Sequence, residues 1–149
     1  DMEGSRGLGD VYKRQYIMSE YELLNLMYMA FTQNAIYFVG MIFLTFISFN
    51  LANSLRAAIN RGDVVRNIAK ILLSTFVIFV GFFFLNTSLI GGGILQSYTE
   101  QLIAIDAPSG MRLSAIASAP GAIGSPLQVI FHIFIVIFQL VMIWFPKPK

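Results

Sequence analysis

Cysteine is absent from the 149 residues, which removes disulfides, thiolate metal sites and cysteine nucleophiles together. Histidine and tryptophan occur once each, so a single chain cannot supply a bis-histidine pair to a haem iron. Charge is scarce too: 10 Lys and Arg and 8 Asp and Glu make up 12% of the chain, about half of what a soluble domain carries. There is no phosphate loop, dinucleotide fingerprint, HExxH, serine elbow or pair of intramembrane carboxylates. These absences point away from an enzyme. No charged residue falls inside an apolar run, which excludes a proton or ion pump built from this chain alone.

What is present is apolar length. Glu22 is followed by 33 residues, 23–55, without Asp, Glu, Lys or Arg, and Lys70 by 29 more, 71–99. Uncharged apolar stretches beyond about 18 residues read as membrane-crossing helices, because about 20 helical residues cross the hydrocarbon. Apolar residues make up 56% of the chain, and the mean hydropathy is +0.71. The expected fold is an all-α integral membrane protein with three transmembrane helices and a short interfacial amphipathic helix. The spans are expected near 27–52, 69–90 and 127–145, in one membrane domain over 18–149.

Residues 1–17 differ from the rest. Residues 1–15 are polar, rich in glycine and carry six of the 18 charged residues. Asp10-Val11-Tyr12-Lys13-Arg14-Gln15 resembles the translated end of a transposon used to build sequencing libraries. The resemblance implies a non-native or disordered tail, a true start at Met18 and a microbial source. The flank before the first apolar run is acidic, opposite to a secretory signal.

On the first span, Asn34, Tyr37, Met41, Thr45, Ser48 and Ala52 recur at steps of three and four, forming one face suited to close helix packing. The bland alternative is that Thr45 and Ser48 only bond their own preceding carbonyls. Gln33 and Asn34 are expected near the outer headgroups. In the second span Phe76, Phe79, Phe82, Phe83 and Phe84 read as lipid-facing bulk or packing. Asn86-Thr87-Ser88 fits the glycosylation pattern but lies at membrane depth, out of that enzyme's reach. Gly91-Gly92-Gly93 is expected to end the helix. Leu95, Tyr98, Leu102 and Ile105 then predict the amphipathic helix lying along the outer interface, within an outer loop of 91–126. From Asp106 to Pro126 that loop reads as irregular, and irregular backbone cannot face lipid.

The third span carries Gln128, His132 and Gln139, spaced by four and seven and so on one face. Polar groups at membrane depth point into a bundle. With Thr45 and Ser48 they form the expected intramembrane polar interface, completed by a second copy or another subunit. His132 suits a hydrogen-bonded packing role, with haem or quinone contact as the alternative chemistry. No GxxxG lies within a span.

Orientation follows from charge. Arg56, Arg61, Arg66, Lys70, Lys147 and Lys149 gather on one side of a three-span layout. Glu20, Glu22, Glu100 and Asp106 gather on the other. Basic flanks stay in the cytoplasm, so the amino terminus is expected outside and the carboxyl terminus inside, in a cell (inner) membrane. Because these cations flank membrane spans, the calculated pI near 9.1 marks topology and not nucleic-acid binding. Arg61-Gly62-Asp63 spells an adhesion tripeptide, but Gly-Asp is a turn signal in what reads as a cytoplasmic loop.

The expected function is a structural or accessory subunit of a membrane assembly, or a self-associating interaction protein. Its partners would be the bilayer and a second copy or other membrane subunits, with no resident cofactor. In span number and orientation the chain also resembles the three-span phage holins, which would imply an oligomeric pore former. In size and span count it is similar to the membrane-anchor subunits of succinate dehydrogenase, which would imply a redox anchor using His132.

Overall fold

The computed structural model describes residues 18–57 and 63–145, all helix and short turns. The expectation for the tail 1–17 lies outside the described residues, as do residues 58–62 and the cations Arg61, Lys147 and Lys149. The four helices are α1 (Glu20–Ala57), α2 (Asp63–Ala104), α3 (Pro108–Ala117) and α4 (Pro126–Trp144). α1, α2 and α4 are each long and apolar enough to cross a membrane, which marks a multi-pass membrane protein with one short additional helix. Large side chains such as Phe43, Phe46, Phe79, Phe82 and Phe134 stand half or more exposed on the outside, as a lipid solvent allows.

α1 begins with a capping box. The Ser19 amide donates to Glu22 Oε2 at 2.8 Å and the Glu22 amide donates to Ser19 Oγ at 3.3 Å, so two of the helix's orphan donors are satisfied reciprocally. From there α1 runs 38 residues, about 57 Å at 1.5 Å per residue. α2 runs 42 residues, about 63 Å, and is the central element, packed against all three others. α4 has only 19 residues, about 28 Å, which matches the hydrocarbon thickness alone. α1 and α2 therefore continue past the level of the α4 amino terminus as a helical hairpin.

This corrects the expectation for Gly91-Gly92-Gly93, which do not end the helix. α2 passes straight through them to Ala104. Close approach is the reason for glycine here. A Cβ on Gly92 would lie 2.7 Å from the Ile123 carbonyl oxygen, and one on Gly91 would lie 2.8 Å from Asn34 Nδ2. The expected interfacial helix is corrected with it: Leu95, Tyr98 and Leu102 belong to the last turns of α2, and Ile105 to the turn after it. The apolar face is real, but α1 and α3 cover it instead of a membrane surface. Leu23, Leu102 and Ala107 are buried together, with Met18, Leu24, Tyr98, Ile105 and Leu113 around them. Burying one such leucine from water is worth about 1.5–3 kcal/mol.

α2 actually stops at Asp106, whose φ of 55° is left-handed. The Asp106 amide donates to the Ile103 carbonyl at 3.0 Å and the Ala107 amide to the Leu102 carbonyl at 2.9 Å. That is the paired bonding of a Schellman stop, with its usual apolar contact between Ala107 and Leu102. Pro108 then opens α3, in a segment expected to be irregular. The α3 N-cap, Ala107, has no side-chain acceptor to offer. Glu20 of α1 supplies the acceptor instead, taking the Ser109 amide at 3.2 Å, where a helix dipole favours an acid. Gly110 lets α3 lie against α2, since a Cβ there would meet the Ile103 nitrogen at 2.8 Å. Residues 118–125 return to α4, which opens with Ser125 as N-cap and Pro126 in its first turn.

Candidate functional site

α4 packs on a stripe of α2 that repeats every seven residues. Ser74, Gly81 and Ser88 are the small positions, with Val77 and Phe84 between them. A seven-residue repeat keeps one seam of a helix facing its neighbour, and small residues let backbones close in. At Gly81 a Cβ would run into the Val136 side chain of α4. This stripe is the sequence signal for the α2–α4 contact, and the search for GxxxG, a four-residue spacing, passes over it.

Trp144, Gln139 and Gln128 of α4 are each hydrogen-bonded along this seam. At the connector end Trp144 Nε1 donates to Ser74 Oγ at 3.0 Å, with Lys70 Nζ 5.4 Å from the centre of its ring. Ala52, Val77 and Ile143 are buried just inside. Next, Gln139, 1% exposed, donates to Ser48 Oγ at 2.6 Å and to the Thr45 carbonyl at 3.2 Å. Ser48 thus meets α4 through its side chain. Thr45 contributes only its carbonyl, because its hydroxyl donates back to Met41 at 2.8 Å. At the α3 end Gln128 Oε1 accepts from Ser88 Oγ at 2.7 Å and from the Gly124 amide at 2.6 Å. One carboxamide oxygen therefore ties α4 to α2 and to the returning chain, where Gly124 adopts a φ of +78°. Ser88 was visible in the sequence only as the last letter of the glycosylation pattern.

His132 sits between the two glutamines and is 4% exposed. Its Nδ1 is 2.6 Å from the Gln128 carbonyl, which can only accept, so Nδ1 carries the proton. The ring meets Phe84 edge-on, with centroids 4.4 Å apart. Nε2 is buried with no partner. A metal-bound histidine is often held through Nδ1 in this way. The space beside this ring, however, is only about 180 Å³, lined by Gly81, Leu85 and Val136 among other apolar side chains, below the roughly 300 Å³ at which ligand pockets begin. A haem is too large for that space in one copy of the chain. Among the described residues no three His, Asp or Glu side chains converge as a metal site.

A second polar set lies on the α1–α2 hairpin, along a groove of about 550 Å³ that no α4 residue lines. Gln33, Asn34 and Tyr37 come from α1, Asn86 and Thr87 from α2. The Thr87 hydroxyl is spent on the Phe83 carbonyl at 2.8 Å. Gln33, Asn34, Tyr37 and Asn86 make no side-chain hydrogen bond among the described residues. The face expected on α1 is thus divided: Asn34, Ser48 and Ala52 are buried, while Tyr37 is 59% exposed in the groove. A third concavity, about 690 Å³, lies between the end of α2, α3 and residues 118–126, with Gln96 and Glu100 on its wall. Those two bond each other at 2.9 Å.

No protein family, curated protein or solved structure matches the chain.

Proposed function

We propose that the chain is a non-enzymatic structural subunit of a membrane assembly, joined to its partners within the bilayer through the α1–α2 groove. The observation that carries this reading is the exposed carboxamide of Asn86. It lies two residues along α2 from Ser88, which bonds the third residue of α4, and this supports a position about one helical turn in from the α4 amino terminus, within the apolar length of α2. A primary amide has two donors and an acceptor to satisfy, and lipid tails satisfy none. The α4 seam, by contrast, is largely closed within the chain, which argues against using it as the interface. The charge asymmetry supports an amino terminus outside and a carboxyl terminus in the cytoplasm of an inner membrane, with the α3 end of the hairpin outside.

Affinity purification from a mild detergent, followed by native mass measurement, tests the reading. Co-purification of a further polypeptide, or a mass above one copy, is the expected result. A strictly monomeric particle with nothing bound, or lysis of cells on induction, would refute it. A reporter fused after Lys149 should be active only in the cytoplasm.

A further inference from the structure

Building on the subunit reading just proposed, we propose that the α1–α2 groove receives a second copy of this chain. Two hairpins would pack groove to groove as a four-helix bundle, with the two Asn86 carboxamides paired across the twofold axis.

Three observations select a second copy. The groove is polar with a chemistry that complements itself: a carboxamide carries both donor and acceptor, so two of them related by a twofold satisfy each other. All copies inserted in one orientation can form a closed dimer only about an axis along the membrane normal. A residue that lies at such an axis meets its own copy, and every other contact across it occurs twice. No charged side chain lines the groove, so bringing it against itself meets no like-charge repulsion. The concavity at the α3 end differs here, since Glu100 on its wall would oppose its own copy.

The geometry agrees. Two antiparallel hairpins meeting groove to groove make the ordinary four-helix bundle, in which both grooves are filled by the facing ridges. Tyr37, Phe83 and Ile90, at 59%, 50% and 49% exposure, would be covered along with Asn86. A lipid in the groove would lay its tails against Asn86 and leave the amide unpaired. Its headgroup would sit farther out, near Gln33 and Asn34.

The absence of cysteine makes the test clean, since an introduced thiol is the only one in the chain. Asn86→Cys in liposomes, oxidised gently, should yield a covalent dimer as the main product. Ile130→Cys, on the exposed outside of α4, should stay monomeric. Fluorescence transfer between labelled copies should report dimers of the parent chain, with affinity reduced about threefold to tenfold in Asn86→Leu, because interhelical hydrogen bonds in membranes are individually modest. Absence of both the cross-link and the transfer overturns the proposal, as does cross-linking through Ile130→Cys alone. If a different polypeptide co-purifies while copies do not associate, the second-copy proposal fails and the subunit reading stands. If nothing associates at all, both fail.

Discussion

Two sets of amides stand on the same three helices, and they have opposite fates. Gln128 accepts from Ser88 and the Gly124 amide through its oxygen, and Gln139 donates to Ser48 and the Thr45 carbonyl, all from the same chain. Asn86 and Gln33, on the hairpin, are left open. Residue type does not separate the two sets. What separates them is whether a small or hydroxylated residue stands opposite: α2 presents Ser88 and Gly81 to α4 and Asn86 to the groove. A polar stripe on a membrane helix therefore signals a neighbour without saying whether the neighbour lies in the same chain.

The largest effect expected on the closed seam comes from the glycines that let it close. Gly92→Ala puts a methyl 2.7 Å from the Ile123 carbonyl oxygen and 3.0 Å from the Gly124 Cα, both backbone atoms that cannot rotate away. Overpacking of this kind costs about 1–3 kcal/mol, against a gain of about 0.5–1 kcal/mol in helix propensity. A lower unfolding midpoint is expected in detergent. Gly93→Ala, where nothing lies within 4 Å, keeps only the gain and should raise the midpoint slightly. Equal behaviour of the two variants would mean that residues 118–125 do not dock on α2.

Those glycines also show where the sequence was legible. The runs without charge located the first two long helices, because the cost of a charge in hydrocarbon leaves a gap, and the apolar stretch up to Trp144 located the third. The ends were harder. Three consecutive glycines signal either a helix stop or a close contact, and only the position of the Gly92 neighbour, 31 residues away at Ile123, decides. The real stop uses a non-glycine residue, Asp106, in the left-handed region. The apolar face of Tyr98 and Leu102 was visible, but its cover was not, since it comes from Leu23 near the start of α1 and from Leu113 of α3. α3 was hard to read for a related reason: Pro108 at its first position suits a helix start, but with Ser109 and Gly110 beside it the segment also reads as a breaker cluster, and the acceptor at its N-terminus is Glu20 of another helix.

A middling effect is expected from Gln139→Leu. The change keeps the volume but removes two donated bonds, to Ser48 and to the Thr45 carbonyl. Ser48 can fall back on the Thr45 carbonyl it already holds at 2.7 Å, so nothing is stranded. Bonds between membrane helices average about 0.6 kcal/mol and reach about 1.7 kcal/mol, so a loss of about 1 kcal/mol is expected in reversible unfolding. A loss no larger than the scatter of repeat measurements would show that the seam is held by packing alone. The dimer cross-link through Asn86→Cys should be unchanged in the Gln139→Leu background.

The smallest effect is expected at His132, although its burial between the two glutamines of α4 and its singularity make it the most conspicuous residue of the span. Its Nδ1 bond goes to the carbonyl of Gln128, one turn back on its own helix, which the helix ladder already engages. Its Nε2 is buried and unpaired. His132→Leu gives up a local bond worth about 0.5–1.5 kcal/mol and relieves an unsatisfied nitrogen whose burial costs about 1–3 kcal/mol. The two nearly cancel, with a slight stabilisation favoured. His132→Leu should therefore unfold at or just above the parent's midpoint, and copy-to-copy fluorescence transfer should be unaltered. His132→Asn, which keeps a polar group in the same apolar space beside Phe84 and Val136, should unfold lower. A large loss of stability or of association in His132→Leu would mean that Nε2 has a partner outside this chain, which would move the interface from the hairpin groove back to α4.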